Sequence, residues 1–167
     1  HKTLPETMRE AGYRTALVGK WHVCRDANVV FDEVYDRIDI SSNYFPDSTG
    51  VYDGPRLPIL AVKESTYENE YMTDKLTSHA IQFMNKQSNA TPFFLYLGYN
   101  AVHNPWQAEK KYYDRLSNIK DEYMRVQASL IACADENIGI LLNYLENRKL
   151  IDNTIIVFVS DNGPAKG

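Results

Sequence analysis

With 167 residues, 44% of them hydrophobic and 24% charged, the chain is long enough for one globular domain with a sizeable core and too short to expect two. A net charge of -4 leaves no basic stripe, so neither nucleic acid nor an anionic membrane surface is an expected partner. No apolar run approaches the roughly 20 residues of a membrane helix, and no signal peptide is visible.

The chain opens at His1-Lys2 without an initiator Met, almost directly on a helix start, and is read as an excerpt, incomplete at both ends. Thr3-Leu4-Pro5-Glu6 has capping-box spacing with proline in the first turn, and Leu4, Met8 and Ala11 form a stripe that Gly12 ends. A short helix is predicted there, followed by an apolar strand over 13–18. Gly19-Lys20-Trp21-His22 leaves the carboxyl end of that strand. From 23 to 66 the periodicity disappears in favour of Tyr, Asp, Pro and Gly, which predicts an irregular functional loop or lid. Its aromatics could line a groove for a sugar or aryl group, or could equally pin the loop to the core.

A second helix is predicted over 71–86, where Met72, Leu76, Ala80, Phe83 and Met84 recur at three- and four-residue spacings. His79 lies near that stripe and reads as a packed or boundary histidine. Asn89-Ala90-Thr91 matches a glycosylation sequon, a match common by chance. Pro92 opens a second buried strand over 93–99, and Asn100-Ala101-Val102-His103 leaves it. The longest helix is predicted over 121–148 from the stripe Tyr123, Val126, Leu130, Ala134, Ile138, Leu141 and Leu145. Cys133 falls in this helix and reads as a small core residue, and two isolated cysteines make neither a disulfide framework nor a zinc site.

The six uncharged residues 155–160 predict a third strand, buried on both faces of a parallel sheet, with Asp161 and Asn162 at its carboxyl end. Hard oxygen donors of this kind suit Ca²⁺ or Mg²⁺, although Asp-Asn-Gly is also ordinary turn chemistry. The helix-strand series predicts an α/β fold, a doubly wound and mostly parallel sheet with flanking helices. Parallel strands would put all three carboxyl ends on one edge. Lys20 and His22, then His103, then Asp161 and Asn162 would converge there, equipment for a tetrahedral oxyanion such as sulfate or phosphate.

At these residues the sequence resembles the sulfatase family of the alkaline-phosphatase superfamily. T-L-P-E-T-M-R-E-A-G-Y-R-T-A-L-V-G-K-W-H is similar to a family signature, with G-K-W-H intact at Gly19 to His22. P-F-F-L-Y-L-G-Y-N-A-V-H-N-P resembles the segment carrying the sulfate-contacting histidine, and D-E-N-I-G followed by D-N-T-I-I-V-F-V-S-D-N-G resembles the later metal-binding segment. The blocks run in family order along nearly the whole chain, which would make 1–167 part of a sulfatase catalytic domain.

The resemblance implies roles at the matched positions. Asp161 and Asn162 would ligate Ca²⁺, or Mg²⁺, polarising the sulfate. Lys20 would contact sulfate and nucleophile as a point charge. His103 would hydrogen-bond sulfate and act as general acid, and His22 as the base that opens the enzyme-sulfate intermediate. It also implies a sulfated small molecule or glycan as substrate and a periplasmic, secreted or lysosomal location.

Departures accompany the resemblance. The family's formylglycine nucleophile arises from C/S-x-P-x-R, and no such motif occurs here, since Cys24 is followed by Arg25-Asp26-Ala27. The motif is expected upstream, together with an Asp pair that completes the metal shell. The fragment alone should bind metal poorly and turn nothing over. A phosphoryl or phosphonyl hydrolase of the same superfamily and a non-catalytic relative of the same fold are the competing readings. G-K-W-H counts against the first of these.

Overall fold

A computed structural model describes residues 1–23, 25–47, 52, 60–66, 70–88 and 90–163. Helix α1 (Leu4–Glu10) starts as its spacing predicts: the Thr3 amide and hydroxyl both meet the Glu6 carboxylate, and Arg25 reaches the same carboxylate at 2.7 Å. Those three contacts hold the Glu6 carboxyl below its ordinary pKa, the Thr3 amide most of all. Gly12, at φ 90°, ends the helix and turns the chain into β1 (Arg14–Lys20).

The span 23–66 is not structureless. It holds the single turn α2 (Ala27–Val30) and the strands β2 (Glu33–Ile38) and β3 (Leu60–Lys63). Glu33, Asp36 and Arg37 break up the apolar pattern of β2, because it is the edge strand of its sheet among the described residues and only Ile38 is fully buried.

The helix α3 (Met72–Asn85) follows, then β4 (Phe93–Gly98), β5 (Trp106–Glu109), α4 (Lys110–Arg115) and α5 (Glu122–Asn147), with a 3-10 turn at Ile151–Asn153. One sheet has the order β2-β1-β4 and the other pairs β3 with β5, all in parallel.

Alternation along β1 explains the layering. Ala16 and Val18 point toward α3 and α5, packing with Phe83, Leu76 and Leu130, while Leu17 points the other way onto Trp21, Ala27, Val30 and Phe31. All three β1 residues are fully buried, as a central parallel strand covered on both faces requires. Cys133 sits in the α3/α5 core as expected, and burial followed by the neighbouring Asp74 charge pushes its thiol pKa up.

The third strand is the correction. Residues 155–160 pair with nothing among the described residues, and Ile155 is 93% and Phe158 81% exposed. A strand apolar on both faces is stable only between neighbours that cover it, and here none does.

Where β1 and β4 end, Gly19 (φ 88°) lies opposite Gly98 so closely that a β-carbon on Gly19 would sit 2.3 Å from the Gly98 carbonyl oxygen. A β-carbon on Gly98 would sit 2.4 Å from the Lys20 oxygen. Gly12 has a similar φ but open space around it. Gly12→Ala should therefore cost about 1–2 kcal/mol for the left-handed conformation alone, and Gly19→Ala clearly more, measured by chemical denaturation. Equal costs would show that the strand contact is not tight.

Candidate active site

Lys20 ends β1 half-buried, and His22 lies exposed two residues on, so the two flank Trp21. Trp21 is the anchor. Its amide donates to the Ile38 carbonyl at 2.8 Å, its indole N–H donates to the Arg25 carbonyl at 2.9 Å, and its ring meets Phe31 and Tyr96 edge-on at 5.0 and 5.5 Å. A buried aromatic held by both polar ends cannot swing, so the cation and the imidazole on either side inherit its position. Among the described residues no carboxylate pairs with Lys20, which leaves its charge available to an anion.

His103 arrives from the loop after β4. Gly19 opposes Gly98 in the parallel ladder, so G-K-W-H and the His103 loop leave the same end of the sheet. The loop is held from below by one hydroxyl: Tyr44, fully buried, donates to the Asn100 carbonyl at 2.8 Å and shares its proton with the His103 carbonyl at 3.0 Å. Burial raises the Tyr44 pKa well above that of a free phenol, which keeps the hydroxyl a donor. The His103 amide closes a turn onto the Asn100 carbonyl, and its ring Nδ1 donates to the Asn104 carbonyl at 2.7 Å. A carbonyl only accepts, so Nδ1 carries the proton and Nε2 is the nitrogen that remains to meet another group.

Tyr44 is itself placed by Gln107 of β5, whose side-chain oxygen accepts from the Tyr44 amide at 2.8 Å. The Tyr71 hydroxyl donates to the Gln107 carbonyl at 2.7 Å, and its ring stacks on Tyr44 at 5.4 Å. Asn100 adds a bond from its Nδ2 to the Ser42 carbonyl at 3.1 Å, and its buried Oδ1 has no hydrogen-bond partner among the described residues. For Tyr44 and Phe45, then, the aromatics of the irregular segment pin it to the core and line no open groove. Tyr52 does the same at the rim, with its ring under Lys75 and its hydroxyl on the Glu70 carbonyl.

Among the described residues no strand pairing and no hydrogen bond ties Asp161 or Asn162 to this edge. They sit exposed in a local turn, where Asp161 Oδ1 accepts from the Asn162 amide at 2.9 Å and the Ser160 hydroxyl donates to the Asn162 carbonyl at 2.7 Å. Their oxygens are the hard donors a divalent cation prefers, although two residues fall short of the six to eight oxygens of a Ca²⁺ shell. A different group, Asp74, Glu109 and Cys133, brings three ligand atoms within 4.8 Å of one another. The Lys111 ammonium already lies 3.0 Å from Glu109 and 3.8 Å from Asp74, and the thiol is held protonated. One ammonium thus already answers the two carboxylates, and a thiol does not suit a hard cation. Cys24 and Asn89 of the sequon lie outside the described residues.

Tyr44, Asn100 and Gln107 escaped the sequence reading because nothing in periodicity marks a tyrosine in an irregular run as a loop anchor. Tyr44→Phe should take the hydroxyl from the His103 carbonyl and leave the Asn100 carbonyl only its turn bond from the His103 amide, at a cost of about 1–3 kcal/mol. Amide hydrogen exchange at His103 should rise while the α5 amides remain protected. Unchanged exchange at His103 would remove Tyr44 from the site.

The Sulfatase family model matches residues 1–167. Over 183 residues the chain is 31% identical to "Arylsulfatase J" of Mus musculus, covering 96% of this chain and 29% of that protein. It is 29% identical over 182 residues to human "N-acetylgalactosamine-6-sulfatase", covering 97% and 32%. The crystal structure of Ps i-CgsB in complex with k-i-k-neocarrahexaose superposes with a TM-score of 0.72 at 27% identity, covering 89% of this chain and 37% of that one. The chain thus spans about a third of the length of the curated relatives it matches.

Proposed function

Because the chain belongs to the sulfatase family, we propose that it forms part of the catalytic domain of an enzyme that hydrolyses sulfate esters of a sugar or aryl alcohol. The supporting observation is the parallel pairing of β1 with β4, which sends Lys20, His22 and the His103 loop out of one end of the sheet. Relatives bearing arylsulfatase and N-acetylgalactosamine-6-sulfatase names support the same chemistry, and a sulfated small molecule or glycan follows as substrate. A periplasmic, secreted or lysosomal setting goes with that substrate class.

Lys20 supplies fixed positive charge where sulfate oxygens gather, undiminished by any carboxylate partner among the described residues. His103, with Nδ1–H committed to the Asn104 carbonyl, keeps Nε2 for the substrate. In its charged form that nitrogen donates a proton to the leaving alcohol oxygen. His22, exposed just beyond Trp21, takes up a proton in the later half of the reaction, when sulfate is released. Asp161 and Asn162 would hold Ca²⁺, or Mg²⁺, which when bound supplies Lewis-acid polarisation of the sulfate. The nucleophile, a formylglycine made from C/S-x-P-x-R, would come from outside these 167 residues.

The roles separate kinetically in the full-length protein. His103→Ala should slow esters of poorly acidic alcohols about 100-fold or more, and an activated aryl sulfate far less, because an acidic leaving group needs no proton. His22→Ala should release about one equivalent of alcohol and then stall with either ester. Equal losses on both esters for His103→Ala, or no initial release from His22→Ala despite normal substrate binding, would reverse the assignment. No sulfate release from any ester by the wild-type protein would remove the activity altogether.

Asp161→Ala should weaken Ca²⁺ binding by about 10-fold or more in a calorimetric titration of the full-length protein. Affinity equal to wild type would return Asp-Asn-Gly to the status of a turn.

A further inference from the structure

Two steps along β1 are matched by three along β2: Val18 pairs with Tyr35, and Lys20 pairs with Ile38. The surplus falls at Asp36, whose φ of 42° lies in the left-handed region that a β-carbon disfavours. An extra residue beside a left-handed φ marks a bulge, with an aspartate in a conformation that glycine adopts more readily. Its consequence reaches the site directly, because Ile38 is both the ladder partner of Lys20 and the acceptor of the Trp21 amide at 2.8 Å.

A carboxylate is what an aspartate adds over glycine, and both of its oxygens are gripped. Oδ1 lies 2.9 Å from Lys75 Nζ, and Oδ2 meets His79 Nδ1. Lys75 and His79 are one turn apart on α3 and so share a face. Each is fixed in turn, Lys75 over the Tyr52 ring at 4.7 Å and His79 against the Tyr35 ring at 5.5 Å. With the Asp36 side chain only 18% exposed, solvent competes little for the grip.

We propose that Asp36, clamped by Lys75 and His79, is a positioning residue that holds the β2 bulge in its left-handed turn and thereby sets where Lys20 stands. The clamp offsets the conformational cost of a β-carbon at that point, so it is needed only while residue 36 has one. The effect on turnover rests on the reading of Lys20 as the sulfate-contacting cation, while the effect on register does not.

The test is a mutant cycle in the full-length protein, read by hydrogen exchange at the Trp21 amide and by kcat and KM with an activated aryl sulfate. Asp36→Ala keeps the conformational cost and loses the clamp, and should speed Trp21 exchange about tenfold or more and lower kcat with little change in KM. Asp36→Gly removes cost and clamp together and should restore both readouts to within about threefold of wild type. His79→Ala should be damaging beside Asp36 and silent in combination with Asp36→Gly, the non-additivity expected of coupled groups. Equal effects of His79→Ala in the two backgrounds, or wild-type Trp21 exchange in Asp36→Ala, would overturn the proposal. Should Asp36→Ala fail to fold, the His79→Ala comparison alone carries the test. Exchange that follows the cycle while kcat ignores it would sustain the positioning of Lys20 and sink its catalytic reading.

Discussion

The contact on which the rest depends is the approach of two backbones at Gly19 and Gly98. Neither strand has room for a β-carbon at that point, so β1 and β4 come close enough for the residues just beyond them to share one rim. A side chain at either position would push apart the two segments that carry Lys20, His22 and His103. Glycine is used here for the space it leaves, and its tolerance of φ 88° at Gly19 is the second requirement met by the same residue.

Around that contact the molecule surrounds each polar loop with buried hydrogen-bonding aromatics. Tyr44, Tyr71 and Trp21 each offer a large apolar face to the core and one donor to a backbone carbonyl, which lets an irregular segment be fixed without a helix or strand. Because Tyr44 takes its own position from Gln107 of β5, the smaller sheet is mechanically joined to the His103 loop although the two sheets share no strand.

Much of this was legible. The capping box at Thr3, the stripe of α3, the 26-residue α5 and the strands β1 and β4 stand close to where periodicity puts them. What escaped has physical reasons. β2 is an edge strand among the described residues, and its charged residues serve α3 and solvent, so it lacks the apolar alternation by which strands are recognised. β3 and β5 are four residues each, too short for a period to register. Of the candidate site, Lys20, His22 and His103 stand out in the sequence as polar side chains just beyond strand ends. Their supports, Tyr44, Asn100, Gln107 and Asp36, do not, since what distinguishes them is a partner far away in sequence. The segment 155–160 failed in the other direction: its composition describes a strand well, but composition says nothing of whether a neighbour is present to pair with it.

That segment has a colloidal consequence. Six consecutive residues rich in β-branched and aromatic side chains, without charge or proline, lie open to solvent with their backbone groups unpaired by any strand among the described residues. Such a stretch is the composition from which intermolecular cross-strand stacking grows, and no lysine or proline within it acts as a gatekeeper. Handled as an isolated polypeptide, these 167 residues are expected to self-associate through this stretch as their concentration rises.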